Sequence, residues 1–152
     1  MIRERLTELG IVLPPVSPPV GNYLGCVVVD DIIHVGGHGP VDGQQSIRGK
    51  VGAELSLEDG RRAARLTALS ILATLQAELG DLDRIARIVK VFGMVNVAPG
   101  FNQTPAVIDG CSDLLVEVFG EDGRHTRSAV GLAELPFDIA VEIELTARLR
   151  TG

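Results

Sequence analysis

Eleven residues near the end of the chain, Ile139 to Leu149 (IAVEIELTARL), alternate strictly in side-chain character. A period of two is the mark of an extended strand. It puts Val141, Ile143, Leu145, Ala147 and Leu149 on one face and Glu142, Glu144, Thr146 and Arg148 on the other. Such a strand must lay its apolar face on a core, while the face with two successive carboxylates is either half exposed or lines a polar cavity. Just upstream, Arg127 to Leu132 (RSAVGL) reads as a second, small-residue strand, and Pro136-Phe137-Asp138 supplies turn chemistry between the two. Strand, turn, strand sets the guanidinium of Arg127 on one strand facing the carboxylate of Glu142 on its neighbour. The pair is either a structural cross-strand ion pair or one wall of a binding site.

The rest of the chain builds the layer this strand needs. Residues Ile2 to Leu9 form a short amphipathic turn or helix ended by Gly10, and Pro14, Pro15, Pro18 and Pro19 force an extended surface arm after it. Tyr23 to Val29 and Ile32 to Gly36 flank Asp30-Asp31, a tight hairpin connection. The glycine-rich stretch Gly36-Gly37-His38-Gly39-Pro40 follows, without the spacing of a phosphate loop; Val41 to Gly52 is a flap or a second small hairpin. Ser56, with Asp59 three residues on, caps a helix of about six turns that carries Ala64, Ala68, Leu72, Leu75 and Leu79 on one stripe and ends at Gly80. Ile88 to Val97 is a buried strand. Thr104-Pro105 predicts a capped helix start, and the helix runs to about Phe119 with Val107, Cys111, Leu114, Leu115 and Val118 buried. The expected fold is a single α+β domain over residues 1–152, with residues 1–20 as an N-terminal arm. Two helices pack on one face of a mixed sheet, and the other face, left bare, seeks another subunit.

Composition narrows the function. A net charge of −6 and a pI near 5.0, with scattered basic residues, argue against a nucleic-acid surface. No apolar run approaches a membrane span and the N-terminus lacks the apolar core of a secretory signal, which favours the cytoplasm. Cys26 and Cys111 are 85 residues apart and read as reduced, buried thiols. His34, His38 and His125 have no acidic partners at ligand spacing, so no metal site is expected.

With GNYLG, GGHGP and above all RSAVGLAELPFDIAVEIE, the chain from about Gly21 to Leu149 resembles the RidA/YjgF family, once called the L-PSP endoribonuclease family. The resemblance implies a chorismate-mutase-like α+β fold, a homotrimer with its sheets inward, and clefts at the subunit interfaces. It also implies hydrolysis of reactive 2-imino or enamine acids to 2-oxo acids and ammonia. In that reading Arg127 binds the substrate carboxylate, with Ser128 beside it, Glu142 positions water, Tyr23 lines the cleft, and Gly36 to His38 close round the ligand. The chain departs from the best-known branch at Ala129, where a cysteine is usual, at His38, which replaces a longer amide, and at Asp109, which takes the place of an asparagine. Its middle loop and arm are longer, which marks a divergent branch.

The chemistry is sound for these residue types. A guanidinium fork matches a carboxylate, and a carboxylate can orient water toward C=N and take its proton without a cofactor. Glu144 reads as a charge near the trimer axis or a salt-bridge partner, His34 as a satisfied core or interface residue, and His38 as either a ligand contact or a structural group. Tyr23 either bonds a ligand or packs on the Pro18-Pro19 arm. A non-catalytic trimer that binds small carboxylates is the alternative of a different class. Ribonuclease activity is a third, against which the charge speaks.

Overall fold

The structure, a computed structural model, describes residues 1–151. Its longest element is α2, Leu57–Leu79, and the local reasons for it are visible at both ends. The Ser56 hydroxyl accepts the Asp59 N–H at 3.1 Å, and the Asp59 carboxylate accepts the Ser56 N–H at 2.9 Å, so two otherwise orphaned donors are satisfied reciprocally. Gly80 closes the helix at φ +78°, a conformation that costs a glycine little. The predicted stripe Ala64, Ala68, Leu72, Leu75 and Leu79 is buried. The short helix α1, Ile2–Glu8, precedes it in the chain, and α3, Thr104–Phe119, follows with its predicted apolar face likewise buried. Thr104, expected to cap α3, does not: the cap position is Gln103, and the Thr104 hydroxyl instead donates to the Ala129 carbonyl at 3.0 Å, tying the helix start to the sheet.

The strands are β1 (Cys26–Val29), β2 (Ile32–His38), β3 (Val41–Asp42), β4 (Gln45–Ser46), β5 (Ile85–Asn96), β6 (Thr126–Leu132) and β7 (Val141–Leu149). β1 and β2 form the predicted hairpin through Asp30 and Asp31, and β3 with β4 is the second small hairpin. The main sheet has the order β1-β2-β7-β5-β6, with β5 and β6 parallel and the other pairs antiparallel. A parallel pair needs a long crossover, and α3 provides it between β5 and β6. Both long helices cover one face, where Ile71, Leu72, Leu75, Ile108, Leu114, Leu115 and Ile143 are fully enclosed, each contributing about 1.5–3 kcal/mol by burial. The other face is bare, as expected. Its outward residues are mixed: Val27, His34, Lys90, Phe92, Glu144 and Arg148 all lie on it.

This order overturns the central sequence expectation. Arg127 and Glu142 do not face each other across neighbouring strands, because β5 lies between β6 and β7. Arg127 is level with Val91 and Leu145, which point into the core under the helices; Glu142 is level with Met94, three positions along β5, and so emerges on the bare face. The structural ion pair between them is ruled out with it. His34 is also not a core residue of the single chain, being exposed on the bare face beside Thr146. Cys26 and Cys111 are free and buried as expected, and burial pushes the Cys111 thiol up to about 12, far from thiolate chemistry. Among the described residues no helix is long and apolar enough to cross a membrane.

Candidate functional site

At the end of β2 the strand register slips: Val35 is level with Leu145 and His38 with Ile143, so Gly36 and Gly37 together oppose a single residue of β7, in the manner of a β-bulge. The slip turns His38 toward α2 and leaves Gly37 over Glu142. A Cβ on Gly37 would lie 3.0 Å from the Glu142 carboxyl carbon, so the absent side chain is what lets the carboxylate rest against the backbone. Gly37 is therefore a positioning device, not a flexible spacer.

Around this bulge is a cavity of about 270 Å³ whose walls include Tyr23, Gly37, His38, Ser70, Phe137 and Glu142. It is smaller than the ~300–1,000 Å³ typical of drug-sized ligands, a size suited to a small metabolite. The N-terminal arm forms one wall with Ser17, Pro18, Pro19 and Val20, and the Tyr23 hydroxyl accepts the Val20 N–H at 3.3 Å, fixing the ring at the mouth. Opposite stands the turn Pro136–Asp138, in which Phe137 and Asp138 both take φ near +57°. Left-handed conformations at two successive non-glycine residues are strained and need outside support. The fully buried Asn96 supplies it, donating to Asp138 at 2.9 Å while accepting from Lys50 at 2.9 Å. Phe137 is thereby held two-thirds exposed at the rim. A larger, shallower groove of about 480 Å³ between the arm and α2 has Glu78 as its one charged wall residue.

The electrostatics of the cavity leave one candidate base. Burial, and then the neighbouring carboxylate of Glu144, push the Glu142 carboxyl above its ordinary value. His38 is spoken for at both nitrogens: Nδ1 is 2.7 Å from the Gly36 carbonyl, which can only accept, so Nδ1 carries the proton and Nε2 accepts the Thr74 hydroxyl at 2.8 Å. Burial lowers its pKa, keeping it neutral. Thr74 and Ser70, one turn apart on α2, are functional candidates the sequence reading missed. Their signal was available: two hydroxyls four residues apart among the buried positions of an amphipathic helix.

Arg127 and Ser128 do not join this cavity. On the outer edge strand β6, Arg127 turns to α3: its Nη1 donates to Asp109 at 2.8 Å and to Ser112 at 3.1 Å, and Nη2 to the Pro105 carbonyl at 3.3 Å. Ser128 points to the bare face, level with Phe92. Ser112 in turn bonds His125 Nε2 at 2.9 Å, and His125 Nδ1 lies 2.7 Å from the Gly123 carbonyl, the same arrangement that holds His38. Burial, assisted by the charge of Arg127, lowers the His125 pKa as well.

Two histidines with depressed folded values make stability depend on acid. Their contribution is complete above the ordinary value of 6.5 and is lost as pH falls through the lowered folded values. Thermal melts from pH 8 to pH 5 should show the wild type losing stability below 6.5 and a His38→Gln, His125→Gln variant losing less; parallel curves would contradict the assignment.

The comparisons with known proteins agree with this architecture. The family model described as "YjgF/chorismate_mutase-like, putative endoribonuclease" matches residues 3–149. Protein TCP17 of Trypanosoma cruzi is 43% identical over 150 residues, 97% of this chain and 94% of that protein. The crystal structure of Atu1372, a protein of unknown function from Agrobacterium tumefaciens, superposes with a TM-score of 0.90 at 38% identity, covering 98% of this chain and 92% of that one. That of a "putative endoribonuclease" from Shewanella oneidensis does so with a TM-score of 0.94 at 33% identity, covering 98% and 99%. The match spans the bulge, the cavity and the Arg127 edge alike, and the chain belongs to the YjgF/chorismate mutase-like family.

Proposed function

We propose that this protein is a hydrolytic deaminase that turns small reactive 2-imino or enamine acids into 2-oxo acids and ammonia, as a homotrimer with its bare sheet faces inward. The observation that carries the reading is Glu142: a half-buried carboxylate of raised pKa in a small cavity whose only histidine has both nitrogens engaged. A base tuned upward toward the working pH is suited to taking a proton from water. Water bonds to the imine carbon as Glu142 takes its proton and the C=N electron pair moves to nitrogen. Glu142 returns that proton to nitrogen to give the carbinolamine, then takes the hydroxyl proton and passes it to the amino nitrogen, so that the C–N bond breaks, ammonia leaves and the oxygen becomes the carbonyl.

In this reading Arg127 acts across two copies. It lies two strands from β7, turned to the helix side, and β6 has no strand on its outer edge. A second copy docking that edge against the cavity would bring guanidinium and carboxylate to the same ligand. RNA cleavage, which the name of the Shewanella relative raises, has less support: the net charge is −6 and the cavity's ionised group is a carboxylate. The test couples an amino-acid oxidase that makes 2-iminopropanoate to this protein. Release of pyruvate and ammonia should speed up, and Arg127→Ala should remove the acceleration; an unchanged rate in the variant would discard the mechanism.

A further inference from the structure

The guanidinium that the proposed function assigns to a substrate carboxylate already holds one. Asp109 lies 2.8 Å from Arg127 Nη1, with the two side chains 43% and 22% exposed, so the pair is screened less than a fully solvated one. Of the five N–H donors on a guanidinium, Nη1 spends both of its own on Asp109 and Ser112, and Nη2 spends one on the Pro105 carbonyl. Nε and the second Nη2 hydrogen remain, and Asp109 Oδ2 accepts no hydrogen bond from the described residues. What this end of the site offers a ligand is therefore not a bare positive fork but donors beside an acceptor, with the two charges cancelling.

We infer that the Asp109–Arg127 pair selects ligands that bring both a hydrogen-bond acceptor and a donor to this end, a primary carboxamide being the simplest, over ligands that bring a free carboxylate. An amide carbonyl can accept from the guanidinium while its NH₂ donates to Asp109 Oδ2. A carboxylate has nothing to donate and enters against the like charge of Asp109. Asp109 is thus a specificity-determining residue. This rests on the reading of Arg127 as the group that grips the ligand, and within that reading it shifts the preferred substrate from the free 2-imino acid to its amide, the acid remaining a weaker ligand.

The experiment is calorimetric titration of 2-oxobutanoate and 2-oxobutanamide into the full-length wild type, Asp109→Asn and Arg127→Ala. Asparagine keeps the shape at position 109 and an oxygen for Nη1, which separates charge from packing. The wild type should bind the amide at least as tightly as the acid, and Asp109→Asn should tighten the acid by about tenfold or more, since it removes one nearby negative charge. A wild type that prefers the acid tenfold, or an Asp109→Asn variant in which acid binding is unchanged or weaker, overturns the selectivity while leaving the site standing, provided Arg127→Ala still weakens both ligands. If Arg127→Ala changes neither, or if neither ligand binds wild type or Asp109→Asn, the gripping role itself is lost and this inference with it.

Discussion

Glu142→Gln should cut the deaminase rate by at least about a hundredfold, the low end of what a positioned general base contributes, and at the same time raise the melting temperature at pH 8. Both effects come from the burial and the Glu144 charge that disfavour the ionised form of Glu142 in the folded chain. The sign follows from linkage. A carboxyl whose folded value lies above its ordinary 4.5 binds its proton more tightly when folded, so its ionisation costs stability as pH rises through the folded value, and the cost is absent below 4.5. The neutral amide escapes it. The stabilisation of the variant should therefore be largest in mild alkali and fade toward pH 4. A variant less stable than the wild type at pH 8, or one with full activity, would show that Glu142 is a structural group.

Gly110→Ala should cost about 3 kcal/mol or more, the upper range for overpacking a tight contact, and lower the melting temperature by on the order of 10 °C. Gly110 lies on α3 where that helix crosses the first turns of α2. A Cβ there would land on the Arg61 carbonyl oxygen, well inside van der Waals contact, and its nearest neighbours are all Arg61 backbone atoms. No side chain can rotate away, so one helix must move off the other. Gly60 nearby is less demanding, because its Cβ would meet only side-chain methyls of Val51 and Val107. Parallel melts of Gly60→Ala and Gly110→Ala rank the two; a Gly110→Ala protein that melts with the wild type would mean the helices are not packed at this distance.

Local chemistry explains what the sequence could reveal. The Ser56–Asp59 box, the Gly80 stop and the stripe between them depend on residues within a few positions of one another, so α2 is legible to the residue. The alternation of β7 is of the same kind: it settles which side of the strand Glu142 takes, and the structure agrees. It says nothing of which strand lies alongside. Arg127 and Glu142 are fifteen residues apart and invite a hairpin, yet the parallel pairing made possible by α3 inserts β5 between them, and strand order of that sort is a long-range outcome no short window contains. Thr104 failed as a cap for a related reason, its hydroxyl being drawn to a carbonyl of β6, twenty-five residues away in sequence. Of the site residues expected together, Tyr23, Gly37, His38 and Glu142 share a cavity because the β2 bulge and the arm converge there. Arg127 and Ser128 lie on another edge.

That separation makes the composite site the point to test. Arg127→Ala and Glu142→Gln, each expected to be inactive alone, can be denatured together and refolded as mixed oligomers. If each site takes its guanidinium from one copy and its carboxylate from the next, random assembly of equal amounts gives an intact pair at about one site in four, and roughly a quarter of the wild-type activity should return. Mixed oligomers, verified by native mass spectrometry, that recover none would contradict a site built by two neighbouring copies.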